Sequence, residues 1–164
     1  MSENKLKKLI IAAKKLAGRP YKYGAKPEEA PRFFDCSGFI QYIYKQIGIE
    51  LPRSAIEQAE KGRIVKTTGN LRPGDLIFLH GERGHYNKKF PSGIGHVAMY
   101  LYDDRTIHTA SKRIKEKPKI LEKGGVKIEK LKSVIKIKGP ITIIKRIYSF
   151  RGNPKKEKYI CNHL

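Results

Sequence analysis

The chain has 164 residues, 36 Lys and Arg against 15 Asp and Glu, two Cys, no Trp and 39% apolar residues, for a net charge of +21. That length predicts one domain able to bury a core without a disulfide or metal staple. No stretch approaches the roughly 18 consecutive apolar residues of a spanning helix, and two Cys are too few for a secreted disulfide framework. Lys7, Lys8, Lys14 and Lys15 interrupt the N-terminal apolar run, so no signal-peptide core is read there and a cytoplasmic location is expected. The charge is uneven: residues 112–164 hold 17 basic and 4 acidic side chains, or +13. It points either to an anionic polymer as partner or to a solvated Lys-rich surface. No nucleic-acid module signature accompanies it.

Residues 4–17 place Leu6, Leu9, Ile10, Ala13, Leu16 and Ala17 on one helical face, with Gly18 at the C-terminal end. Residues 18–31, rich in Gly, Pro and charge, read as a loop. A second helix is predicted from the N-cap Asp35 through the stripe Cys36, Phe39, Ile40, Ile43 and Ile47 to Gly48. Pro52 and the capping box Ser54/Glu57 predict a short helix that Gly62 stops. The turn signal Leu71-Arg72-Pro73-Gly74 then feeds a strand over 75–79. Residues 80–95 form a long polar loop of the kind that shapes a cleft. Strands are predicted at 96–101 and 105–110 around Asp103-Asp104, a basic loop at 111–125, and strands at 126–128 and 141–150. This order predicts an α+β domain over 1–150, its Cys-bearing helix packed on an antiparallel sheet of about five strands. Residues 151–164 are read as a basic C-terminal tail, mobile from residue 152.

Cys36 opens the second helix, where the positive end of the helix lowers a thiol pKa and a neighbouring His lowers it further. A Cys here otherwise serves as a small buried hydrophobe. Of five His, His163 lies in the tail and His80 and His85 flank the long loop, which leaves His96 at a strand start and His108 on the next strand. A three-residue connection 102–104 sets Ala98 opposite His108 and puts His96 and His108 on one face, roughly 7–8 Å apart by Cα. A two-residue connection puts them on opposite faces. The first register permits a relay in which His96 activates Cys36 and a neutral His108 orients His96 by accepting or sharing its Nδ1 proton. Asp103 and Asp104 sit roughly 20 Å along the strand from His96, too far to orient it. The spacing of Cys36, His96 and His108 is not that of a metal site, and no cofactor is expected.

Asp35-Cys36-Ser37-Gly38-Phe39 ahead of an amphipathic helix resembles the nucleophile motif of the NlpC/P60 cysteine peptidases. So do Gly95-His96-Val97, Ile107-His108-Thr109-Ala110, Tyr21-Lys22-Tyr23-Gly24, Leu51-Pro52-Arg53-Ser54 with Gln58 and Gly62, and Leu71-Arg72-Pro73-Gly74-Asp75-Leu76, in that family's order across about residues 6–148. The resemblance implies a papain-like fold and hydrolysis of an amide bond, typically D-γ-glutamyl to diamino acid in peptidoglycan stem peptides. It makes Cys36 the nucleophile, His96 the base and then acid, and His108 the polar third member. It places Tyr23, Asp35, Arg53 and Ser54 along the substrate, with a peptide or muropeptide as partner. Ala25 stands where a second Gly is common, and the 80–95 loop is long for the family. A thiol acyltransferase of the same fold and a non-catalytic polyanion-binding domain are the alternative functions.

Overall fold

The computed structural model describes residues 2–81, 84–115, 117, 118 and 121–148. Helices α1 (Glu3–Lys15), α2 (Cys36–Lys45) and α3 (Ala55–Ala59) precede strands β1 (Arg63–Ile64), β2 (Leu76–Leu79), β3 (His96–Tyr102), β4 (Arg105–Lys115) and β5 (Leu121–Lys130). Helix α4 (Leu131–Lys138) and strand β6 (Ile141–Arg146) follow. The six strands form one sheet in the order β1-β6-β2-β3-β4-β5, antiparallel at every pairing.

The short central strand β2 shows why the molecule has three layers. All four of its residues are buried, and they alternate between two cores. Leu76 and Phe78 join α1 and α2, with Leu6, Leu9, Ile10, Phe39, Ile40 and Ile43, in the main core. Ile77 and Leu79 meet Leu131 and Val134 of α4 on the other face. An antiparallel strand covered on both faces loses its polar–apolar alternation, and each fully buried Leu, Ile or Phe contributes about 1.5–3 kcal/mol. The strands thus carry the helix that bears Cys36 on one side and α4 on the other.

Two expectations are corrected. Residues 111–125 are not a basic loop: β4 and β5 pair from Arg105↔Lys130 to Lys115↔Leu121 in one long ribbon. Helix α4 was not foreseen, because its alternating Lys with Val and Ile favours a strand reading, and only Leu131 and Val134 are buried. The expected antiparallel sheet of about five strands is present, and among the described residues β1 brings it to six. The tail, 151–164, lies outside the described residues.

A buried ion pair ties the last strand to the turn before β2. Arg146 donates from Nε and Nη2 to the two Asp75 oxygens at 2.7 and 2.6 Å, and Asp75 also accepts the Arg72 N–H at 2.9 Å. This two-pronged geometry supplies the carboxylate's hydrogen bonds and opposes, without cancelling, the burial that raises the Asp75 pKa.

Candidate active site

Helix α2 starts at Cys36 because Asp35, in extended conformation, caps it: its Oδ1 accepts the Gly38 N–H at 2.8 Å. The same carboxylate pairs with Arg53, whose Nη1 donates to Ser37 Oγ at 2.9 Å and whose Nη2 donates to the Ala25 carbonyl. The N-terminal turn of α2 is thereby held from both sides. Across from it, Gly81 has φ +68°, and a Cβ there would stand 2.7 Å from the Gly95 carbonyl carbon. Only glycine lets these backbones meet, and the chain then enters β3 at His96. Cys36, His96, Tyr21, Tyr23, Thr109 and Glu122 are among the residues lining the resulting cleft.

The β3–β4 hairpin reaches the expected register by an unexpected route. Asp103 and Asp104, at φ 46° and 58°, form a two-residue turn. By itself that turn would set His96 and His108 on opposite faces. A bulge between Tyr100 and Tyr102 restores the pairing Met99↔Ile107, so the two rings share a face after all. His96 Nε2 lies 2.8 Å from His108 Nδ1, with the rings nearly perpendicular at 86°. Both are buried, at 5% and 2% exposure.

The chain of hydrogen bonds continues to a residue the sequence reading did not single out. His108 Nε2 lies 2.9 Å from Glu129 Oε2. An ionised carboxylate only accepts, so Nε2 of His108 carries the proton and Nδ1 is bare. His96 must then donate from Nε2, which leaves its Nδ1 as an open lone pair for the cleft it shares with Cys36. The relay therefore binds His96 through Nε2 rather than through the expected Nδ1. Glu129 became findable only with the register, since β5 pairs His108 with Lys127 and Thr106 with Glu129.

Titration of these groups departs from the helix-end expectation. Although Cys36 keeps part of its surface open, the protein around the thiol and the Asp35 charge push its pKa up to about 11. Backbone N–H groups of Val97 and Ser37 and the Arg53 charge pull the other way without prevailing. Burial, then the charges of His108 and Lys138, holds His96 well below the ordinary imidazole value. His108 is also lowered by burial, with Glu129 opposing. The resting pair is a neutral thiol and a neutral imidazole.

The other residues expected at the substrate are placed as follows. Tyr23, 50% exposed, stands at the cleft. Arg53 lines a neighbouring hollow with Ala25, Phe33 and Tyr42. Asp35 spends its carboxylate on the cap and on Arg53, and Ser54 caps α3, its Oγ accepting from the Glu57 N–H. The cleft adds groups that had not been weighed. Burial drives the Tyr21 hydroxyl far above its ordinary range, keeping it a donor toward Glu122. Glu122 also accepts from Ser111 Oγ at 2.8 Å. The Thr109 hydroxyl, 1% exposed, has no hydrogen-bond partner among the described residues.

A model of the NlpC/P60 family matches residues 18–133. Gamma-DL-glutamyl hydrolase of Bacillus subtilis (strain 168) is 37% identical over 106 residues, which cover 64% of this chain and 24% of that protein. Gamma-D-glutamyl-L-lysine dipeptidyl-peptidase of Bacillus cereus is 37% identical over 101 residues, 62% of this chain and 27% of that protein. The chain thus spans about a quarter of the length of these two relatives. A solved structure of an NlpC/P60 family protein from Bacillus cereus matches with a TM-score of 0.63 at 27% identity, over 88% of this chain and 40% of that one.

Proposed function

We propose that this chain, which belongs to the NlpC/P60 family of hydrolases, is a cysteine-type peptidase that cleaves the D-γ-glutamyl–diamino acid amide of peptidoglycan stem peptides. The observation that carries the reading is the line His96–His108–Glu129 ending on the cleft that holds Cys36. Support for the bond comes from the two relatives whose names specify γ-glutamyl hydrolysis.

In this reading His96 Nδ1 takes the Cys36 Sγ proton as sulfur attacks the γ-carbonyl carbon. A neutral resting pair favours transfer together with attack, because burial and the Asp35 charge push the Cys36 thiol pKa up to about 11. The carbonyl oxygen becomes an oxyanion facing the N-terminal end of α2, where the Cys36 N–H is the nearest backbone donor to hand. The imidazolium returns its proton to the diamino acid nitrogen as the C–N bond breaks. Water then attacks the thioester, giving a proton to His96, and the C–S bond breaks to release the acid as His96 returns that proton to Cys36 Sγ. His108 and Glu129 act as positioning residues, holding the His96 tautomer and sharing the charge that forms on it. Tyr23 meets the substrate at the open rim, while the Asp35–Arg53 pair sets the height of the nucleophile.

The test is incubation of a defined stem peptide with the protein, with and without an added primary amine, and mass analysis of the products. The reading expects hydrolysis products in both cases. Transfer to the amine in preference to water would identify an acyltransferase, and an intact substrate in both cases would refute the catalytic reading.

A further inference from the structure

The cleft at Cys36 is narrow, about 60 Å³, while a trough of about 440 Å³ lies beside it between the β4–β5 ribbon and α4. Ser111 and Lys138 line both, which sets the two side by side. Four Lys surround the trough: Lys112 on β4, Lys123 and Lys127 on β5, and Lys138 on α4. Lys112 and Lys123 are direct cross-strand partners, an arrangement that like charges make unfavourable. Among the described residues the one acid in the trough, Glu129, is engaged by His108, and no ion pair involves any of the four Lys. The trough also has apolar lining, from Ala110, Val134 and Ile137, the last 58% exposed. The ribbon therefore gathers unfavourable like charge around a partly apolar trough that adjoins the nucleophile's cleft.

We propose that this trough is a subsite for an acidic peptide chain, binding successive carboxylates of the substrate as it extends away from the scissile bond. The proposal rests on the peptidase reading above for the chain's being a peptide. Its chemistry requires carboxylates at intervals, with methylene or backbone carbon between them to lie on Ala110 and Ile137. Both γ-linked and α-linked glutamyl chains meet that requirement. A nucleic acid offers the negative charge but neither the methylene spacing nor a bond for Cys36 to attack, so the position of the trough beside the cleft favours the peptide.

The test is binding of fluorescently labelled hexaglutamate to full-length Cys36→Ala protein, followed by anisotropy, so that turnover plays no part. Both γ-linked and α-linked hexaglutamate are measured, with hexaglutamine and a hexanucleotide as comparison probes. Combined Lys112→Gln, Lys123→Gln and Lys127→Gln substitution should weaken hexaglutamate binding about tenfold or more. Removing the same charge elsewhere, by Lys5→Gln, Lys8→Gln and Lys132→Gln, should change it less than about twofold. Relief of the Lys112–Lys123 repulsion leaves the triple variant folded; Lys127→Gln alone, expected to weaken binding severalfold, provides a second reading. Equal binding of the two linkages shows a subsite for carboxylate charge alone, and tighter γ-linked binding shows one that also reads spacing; either supports the proposal. Binding indifferent to the trough substitutions would overturn it. So would a hexanucleotide bound as tightly and with the same sensitivity. Retained hexaglutamate binding with no cleavage of any stem peptide by the wild type would refute the peptidase reading instead, leaving the trough as an acidic-chain binding site.

Discussion

Glu129 fixes the direction of the proton line, and its removal is the sharpest perturbation of the proposed mechanism. In Glu129→Ala the His108 Nε2–H loses its acceptor 2.9 Å away. Nothing then prevents His108 from carrying its proton on Nδ1, which would turn His96 over to the tautomer with Nδ1 protonated and no lone pair for Cys36. A hydrogen bond to a charged group contributes about 1.5–3 kcal/mol. The Glu129 side chain is 30% exposed, so the lower end applies, a loss of about tenfold in kcat. Glu129→Gln keeps an acceptor oxygen and should recover most of kcat. It removes the negative charge that raises the His108 pKa, so the acid limb of its kcat/KM profile should move to lower pH. The assay is steady-state hydrolysis of a stem peptide between pH 4 and 9 for wild type, both Glu129 variants and His108→Ala. If Glu129→Ala stays within twofold of wild type while His108→Ala loses most activity, the carboxylate has no part in setting the tautomer.

Alkylation of Cys36 by iodoacetamide should rise with pH and show no plateau below about pH 9, as the raised thiol pKa requires; a flat rate from pH 5 to 8 would reveal a preformed thiolate–imidazolium pair. Asp75→Ala should lower stability by about 3–5 kcal/mol in urea unfolding, because it strands the Arg146 guanidinium at a buried site; a change under about 1 kcal/mol would mean the pair is solvated. His96 and His108 are both held below their unfolded pKa, so the unfolded chain binds more protons and stability should fall as pH drops through about 6.5, by up to about 1.4 kcal/mol per unit for each His. Unfolding midpoints that rise on acidification from pH 7.5 to 5.5 would contradict the direction of those shifts.

What was legible in the sequence is what local signals encode. Asp35 as N-cap, the stripe after Cys36 and the Ser54/Glu57 box specify α2 and α3 through contacts within a few residues, and both helices start where those caps stand. The His96–His108 face was also legible, although the two-residue turn at Asp103-Asp104 delivers it only together with the bulge at Leu101, which no composition signal marks. The β4–β5 ribbon was hidden because Gly124, Gly125 and many Lys mimic a loop. Gly124 is needed there for another reason: a Cβ would sit 1.9 Å from the Ala110 carbonyl oxygen. With the ribbon went Glu129 and the Lys-lined trough, since both depend on which β5 residues face β4. The raised thiol pKa could not be read from Cys36's place on a helix, because burial in the folded chain and the Asp35 charge set it.

In the proposed mechanism Cys36 forms a thioester with a γ-glutamyl group. The most direct test of that step is mass spectrometry of rapidly quenched mixtures of a stem peptide with wild type and with Cys36→Ser. The mechanism predicts a wild-type adduct equal to the N-terminal γ-glutamyl fragment, localised to Cys36 by digestion, with the diamino acid fragment released in equal amount and neither product formed by Cys36→Ser. Cleavage of the same bond by Cys36→Ser at the wild-type rate, or an adduct on another residue, would contradict it.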